Sequence, residues 1–310
     1  MAAVSVVIPS FNNRRYVTAA IDSVLGQTFQ HLQLLVIDDG STDGSAEVIA
    51  NHLDVLGDPR VRLAKIEHQG LVAALNMGLA NARDEYFTFL GSDDTWMPTK
   101  LDRQVRALQS VPAAAACFSD CWIIDQDGRR QYRLGRAQTR PYHGGRIFSD
   151  LWSMNFMPQS STYLFRTDAV REVGGFDPDI EVEDVPLWLR LAHRYEVVYL
   201  DELLANHRVH GDHTLSNDLP LNRRSILMAH EKMTLLDPSL ILNRRLLDLR
   251  SHEREAYSHY QCFRLRLARA HALAALRIDP RSRHAWRVLY RSLLGRRLIG
   301  HLRELRSKLH

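Results

Sequence analysis

Short apolar runs alternate with amphipathic stretches over the first third of the chain. Residues 4–8 form a β-branched apolar run of the kind expected for a strand buried on both faces. Asn12 and Asn13 stand where helix caps belong, ahead of an amphipathic stretch over 16–25. Strand patterns recur at 32–37, 61–66 and 86–90, and helix patterns at 45–53 and 71–82. Pro98 suits the first turn of a helix running to about residue 108. This rhythm predicts an α/β fold with a mostly parallel central sheet and helices on both faces.

Past residue 110 the pattern loosens. Residues 114–119 and 161–165 read as strands, and 125–146 as a polar surface excursion rich in Gly and Arg. Glu183 and Asp184 precede a helix over about 185–193, and 197–200 reads as a short strand. Residues 207–219, HRVHGDHTLSNDL, read as a loop. From about 221 the pattern is helical, with Asp279-Pro280 as a cap and first-turn proline between helices at 268–278 and 282–294. No repeat of solenoid period is present. The expected division is a domain over 1–219 and a helical C-terminal region over 220–310.

Charge sharpens that division. The 310 residues carry a net charge of +4, but 1–219 hold 20 Lys+Arg against 29 Asp+Glu (−9) and 220–310 hold 20 against 7 (+13). A basic helical tail has three readings: a solvated or oligomerising appendage, an anchor to an anionic membrane surface, or a nucleic-acid face, the last disfavoured. Three cysteines, Cys117, Cys121 and Cys262, make neither a disulfide framework nor a cysteine zinc site, which points to a reducing compartment. The start, MAAVSVVIPSF, has no signal-peptide pattern, and no apolar run reaches the ~18 residues that span a bilayer. The expected location is cytoplasmic, with peripheral attachment to the inner face of the membrane left open.

In an open parallel sheet, ligands collect at the carboxyl ends of the strands. Three polar clusters fall there: Pro9-Ser10-Phe11-Asn12, Asp38-Asp39 and Ser92-Asp93-Asp94. One such pair alone would be a solvated turn; three at neighbouring strand ends point to a site. No GxGxxG opens the first helix and no GxxxxGK[ST] occurs, so neither a dinucleotide fingerprint nor a phosphate-cradling loop is present. Carboxylates can hold a diphosphate only through a divalent cation, a hard acid that takes carboxylate and phosphate oxygens together.

The motifs SVVIPSFN, VIDDGSTD, the Asn76-containing helix, FLGSDD with WMP, VGGFD and EDVPLWLRLA occur in the order that resembles family-two glycosyltransferases of GT-A fold, over roughly residues 3–215. The resemblance implies inverting transfer of a sugar from a nucleoside diphosphate, of UDP or dTDP type, to a hydroxyl of a carbohydrate or glycolipid acceptor, with Mn²⁺ or Mg²⁺. Cell-surface polysaccharide or glycolipid synthesis is the implied setting. Pro9, Ser10, Phe11, Asn12, Asp38, Asp39 and Asn76 would surround the nucleotide, with Asp39 as acceptor to the base and Ser92 near the ribose and diphosphate. Asp93 would be the metal ligand, and Asp94, Trp96 and His210 would border the donor or acceptor. Asp184 would be the general base, its proton affinity raised by like-charge repulsion from Glu183.

The chain departs from the family pattern in three places. Gly91 stands where an Asp is common, Leu75 where a basic residue often precedes Asn76, and Asp84 where a Gly is usual. Two other readings follow: a nucleotide-sugar-binding scaffold with impaired catalysis, for which Gly91 is the main argument, and a nucleotidyltransferase, which lacks its Gly-rich basic N-terminal loop here. Asp184 could also serve as a helix N-cap. His207, His210 and His213 share one segment without a fixed metal spacing, and His210 is the best candidate among them to reach metal or diphosphate. Leu187 and Trp188 read as core, Arg190 as pairing with a carboxylate, and Gly174-Gly175 as a turn.

Overall fold

The computed structural model describes residues 2–138, 141–210, 218–261 and 264–293. The chain forms two compact units: 1–152 with 156–233, and 153–155 with 234–310. The boundary expected at 219/220 coincides with the start of helix α8 (Leu219–Leu236), most of which belongs to the first unit.

In the first unit β1 (Val4–Ser10), β2 (Leu32–Asp39), β3 (Val61–Ile66) and β4 (Tyr86–Phe89) pair in parallel in the order β3-β2-β1-β4. β8 (Tyr163–Arg166) runs antiparallel to β4 and to β6 (Ala114–Ile124). β9 (Glu196–Arg208) lies parallel to β6, β5 (Thr95–Trp96) crosses its end antiparallel, and β7 (Arg130–Arg133) forms a hairpin with β6. The sheet is mostly parallel, as the alternation predicts.

Helices cover both faces. Val4, Val6 and Ile8 of β1 share a core with Val17, Ala20, Ile21 and Val24 of α1 (Val17–Leu25) and with Leu101, Val105 and Leu108 of α4 (Lys100–Ser110). Each Val, Leu or Ile side chain among them, fully buried, contributes about 1.5–3 kcal/mol. On the opposite face α3 (Leu71–Asn81) presses its Gly78 against Val7, where an added Cβ would lie 2.4 Å from Val7 Cγ2. Only glycine permits that approach. α2 (Ser45–Leu56), α5 (Phe148–Trp152), α6 (Thr167–Glu172) and α7 (Asp184–Arg194) complete the unit's regular helices before α8.

Several local expectations change. β9 is 13 residues long rather than four, because Leu203–Arg208 pair with Asp120–Ile124 of β6 through bulged registers. His207 and Arg208 are therefore strand residues, not loop residues, whereas 211–217, including His213, lie outside the described residues. Part of the expected excursion after 125 is the β6–β7 hairpin, its turn made by Gly128 at φ 83° and by Asp125 Oδ1 accepting from Asp127 and Arg129 N–H. Asn12 and Asn13 do not cap α1 with their side chains; only the Asn13 carbonyl accepts, from Tyr16 and Val17.

In the second unit α9 (Arg244–Gln261), α10 (Leu265–Ile278) and α11 (Arg283–Leu293) pack through small residues: Ala256, Ala268 and Ala272 with Val288, and Ala275 with Ala285. Ser282, rather than Asp279-Pro280, caps α11, its Oγ accepting from Ala285 N at 3.0 Å. Cys117 and Cys121 are buried free thiols, and Cys262 lies outside the described residues.

Candidate active site

The register of β1 on β2 places Ser10 opposite Asp38, so the polar clusters that end these strands lie side by side. The loops after β1, β2 and β4 are then tied together. Asn12, at φ 53°, donates its N–H to Ser41 Oγ (3.0 Å) and accepts from Thr42 N at Oδ1 (2.8 Å). Asn13 donates its N–H to Ser45 Oγ (3.0 Å) and its amide to Ser92 Oγ (2.7 Å), bridging to the loop after β4. Ser10 Oγ and Asp38 Oδ1 are buried with no partner among the described residues. Buried polar atoms left unpaired cost about 1–3 kcal/mol each, so two of them at adjoining strand ends mark a place built for something else.

Asp39 is immobilised. Its Oδ1 accepts from Gln69 N and its Oδ2 from Gly70 N, both at 2.8 Å, and His68 Nδ1 lies 2.9 Å from Oδ2. Oδ1, with one donor, retains capacity for a second. The His68 ring stacks on Phe11 with centroids 4.1 Å apart, and Phe11 is 42% exposed. A flat aromatic surface beside a fixed acceptor suits a planar heterocycle. His68 was not foreseen; its position just ahead of Gly70, the N-cap of α3, was the available signal.

The turn after β4 carries the second group. Asp94 N donates to the Gly91 carbonyl (3.0 Å), and Asp94 is buried, with Oδ1 accepting from Arg208 N (2.7 Å) and Oδ2 3.0 Å from His207 Nδ1. Asp93 keeps its side chain 17% exposed, with Oδ2 3.1 Å from His210 Nε2. Burial pushes the Asp93 carboxyl up, but the His210 hydrogen bond and the charge of His207 outweigh it and hold the group below the usual carboxylate range. For Asp94 burial wins and its pKa is raised, despite His207. Burial disfavours charge on His207, yet the charge and hydrogen bond of Asp94 leave it raised. Arg208 donates from Nε to the Asp93 carbonyl (2.8 Å), reaches the carbonyls of Asp125 and Gln126, and lies 4.7 Å over the Tyr16 ring. A Cβ on Gly91 would lie 3.0 Å from Asp93 Oδ1, so a side chain there would enter this carboxylate group.

Asp184 opens α7 and follows Glu183. It does not act as the N-cap: that position is Glu183, which makes no capping bond, and Asp184 Oδ1 accepts from the adjacent Val185 N (2.7 Å). The upward shift is found on Glu183, raised to about 8 by burial first and by the Asp184 charge second.

Three expectations are reassigned. Asn76 uses its amide within the fold: Nδ2 donates to the Phe176 carbonyl (2.9 Å) and Oδ1 accepts from Phe176 N (3.0 Å). Among the described residues Arg190 pairs with no carboxylate at hydrogen-bond distance; it donates to the carbonyls of Pro186, Val173 and Gly175. Together they clamp the Gly174-Gly175-Phe176 turn that leads toward Glu183 and Asp184. Trp96 is a core side chain rather than a pocket wall, with Nε1 donating to the Ser161 carbonyl (2.7 Å) and Lys100 Nζ 4.1 Å from its ring. Trp188 and Leu187 are fully buried, as expected.

Solved structures share this architecture. S. aureus TarS in complex with UDP-GlcNAc matches with a TM-score of 0.59 at 16% identity, over 90% of this chain and 83% of that one. The mannosyltransferase PcManGT from Pyrobaculum calidifontis, in complex with GDP-Man and Mn²⁺, matches with a TM-score of 0.60 at 19% identity, over 94% and 79%. The fold is the GT-A fold of glycosyltransferases. The chain belongs to glycosyl transferase family 2, whose model matches residues 5–174, and it is accordingly a glycosyltransferase. An uncharacterized glycosyltransferase of Rickettsia typhi is 28% identical over 219 residues, 70% of this chain and 67% of that protein.

Proposed function

We propose that the chain is an inverting glycosyltransferase that uses a UDP- or dTDP-type sugar donor, a divalent cation at Asp93 and Asp184 as general base. The observation that carries this reading is the division of labour between carboxylates: Asp93 is held ionised at a strand-end turn, while Asp184 lies beside a buried Glu183 whose pKa is about 8. Phe11 and His68 would carry the base by stacking, with Asp39 as acceptor and Ser10, Asp38 and Ser92 lining its approach. Asn12 and Asn13 hold these loops in place.

The residues at the turn fit a hard cation. Asp93 supplies an ionised oxygen beside an imidazole, Asp94 is fixed behind it, and cations of the Mg²⁺ type are commonly held by one or two carboxylates plus substrate phosphates. Bound there, Mn²⁺ or Mg²⁺ would supply Lewis-acid neutralisation of charge on the departing diphosphate. Asp184 would take the proton of the acceptor hydroxyl as the bond to the anomeric carbon forms. Glu183 keeps its own proton through neutral pH, which leaves the charge of the pair to Asp184. General-base catalysis of this kind is worth ~10²–10⁴-fold.

The acceptor we favour is a carbohydrate or glycolipid of cell-surface polysaccharide synthesis, made in the cytoplasm at the inner membrane face. No described helix is long and apolar enough to cross a membrane. α11 exposes Trp286, Tyr290 and Leu293, at helical spacing, together with Arg283 and Arg287. Aromatic and basic side chains on one helix suit an anionic lipid surface. Flotation with anionic liposomes, lost in a Trp286→Ser/Tyr290→Ser double variant, checks this; equal flotation of both forms would refute it.

Nucleoside diphosphate sugars screened by thermal shift with Mn²⁺ identify the donor. Metal-dependent release of free nucleoside diphosphate, abolished in Asp93→Ala, is the expected result. Donor binding without turnover over any acceptor panel would favour the scaffold reading, and release of pyrophosphate a nucleotidyltransferase.

A further inference from the structure

In the second unit, far in sequence from the transferase motifs, His252, Glu255 and His259 follow one face of α9 at i, i+3 and i+7. His271 of α10 faces them. His252 Nδ1 lies 3.2 Å from His271 Nδ1, His271 Nδ1 lies 2.5 Å from Glu255 Oε2, and His252 Nδ1 lies 3.6 Å from the same oxygen. We propose that His252, Glu255 and His271 bind a zinc ion that clips α9 to α10.

Proton bookkeeping argues against a plain hydrogen-bonded cluster. If His271 Nδ1–H donates to Glu255, that nitrogen has no lone pair to accept from His252. If His252 Nδ1–H donates to His271, the short contact from His271 to the carboxylate lacks a proton. If both nitrogens carry hydrogen, two N–H groups face each other at 3.2 Å. A cation removes the conflict, because all three atoms then present lone pairs to one point. Tetrahedral zinc with bonds of about 2.0–2.1 Å holds its ligand atoms roughly 3.3 Å apart. The 3.2 Å and 3.6 Å separations bracket that spacing, and the 2.5 Å contact between His271 and Glu255 has to open to admit the ion.

The donor set selects the metal. Two imidazoles and one carboxylate suit Zn²⁺ better than Mg²⁺ or Mn²⁺, which prefer oxygen alone. The three side chains are only 9–24% exposed, which limits competition from water. The His259 ring lies 5.3 Å from that of His271, on the same face of α9.

The test uses the untagged full chain, stripped with EDTA and titrated with Zn²⁺ and with Co²⁺ as a spectroscopic probe. The expected result is one tightly held equivalent in the wild type and in Asp93→Ala, with visible Co²⁺ absorption of a tetrahedral site and a rise in melting temperature. His271→Ala should lose the equivalent and the Tm response. His252→Gln, which keeps a polar side chain on α9, should weaken binding at least about tenfold and so guards against misfolding of the first variant. Zinc stoichiometry unchanged in both variants, or an absence of tetrahedral Co²⁺ absorption in the wild type, would overturn the proposal. Because Asp93→Ala removes the proposed donor-side cation, failure of either site is read separately.

Discussion

Carboxylates meet imidazoles both at the acidic turn after β4 and on α9 and α10, and the two settings differ. At the end of the sheet, Asp93 and Asp94 sit on a turn and are held by His210, His207 and Arg208 of β9 and the segment after it. On α9 and α10, His252, Glu255 and His271 are held by the helices themselves. The turn assembles its geometry from partners more than 110 residues away, whereas the helical cluster needs only a short connection. Loops presented by a rigid sheet admit an incoming ligand; helix faces packed through alanine hold a ligand that stays.

The largest effect expected at the sheet end is on chemistry. Asp184→Asn should lower kcat by ~10²–10⁴-fold with donor affinity almost unchanged, measured by nucleoside diphosphate release and by donor titration. Unchanged turnover would leave Asp184 as a helix residue only. Next in size is Asp39→Ala, which removes two backbone bonds to a charged acceptor and should cost roughly 3 kcal/mol of stability in urea unfolding as well as donor affinity. Loss of affinity without loss of stability would show that the loop before α3 holds itself.

Glu183 gives a pH dependence. Its pKa is raised in the fold to about 8 from the ordinary 4.5, so its contribution to stability is complete below 4.5 and is lost as pH rises through 8. Glu183→Gln should therefore flatten the decline of melting temperature between these limits, and a parallel decline in both proteins would refute the buried acid. The smallest effect sharpens the contrast with the helical cluster. Gly91→Asp adds a third carboxylate beside Asp93, at the cost of a shift of a few tenths of an ångström, and should tighten Mn²⁺ binding several-fold without altering zinc stoichiometry.

The alternation of apolar and amphipathic segments was sufficient for the parallel half of the sheet, because strands buried on both faces read as continuous apolar runs. The strand ends carrying Ser10, Asp39 and Asp93 were legible for the same reason. β9 was not: DELLANHR has no clean alternation, and its pairing depends on bulges opposite Ser119–Cys121. Asn76 and Arg190 were misread because their partners are backbone carbonyls and an N–H, which carry no mark in a side-chain pattern. His68 and Arg208 were missed because their roles arise from loops meeting at long range, not from a local motif.

Arg208 has one further consequence. Its guanidinium joins the main chain of Asp93 to that of Asp125 and Gln126 while resting on Tyr16. The β6–β7 hairpin and the acidic turn are thereby welded into a single mechanical piece, with one side chain as the rivet. Tilting the hairpin is expected to shift the Asp93 main chain, so the posture of a surface ribbon and the proposed grip on a diphosphate become one coordinate.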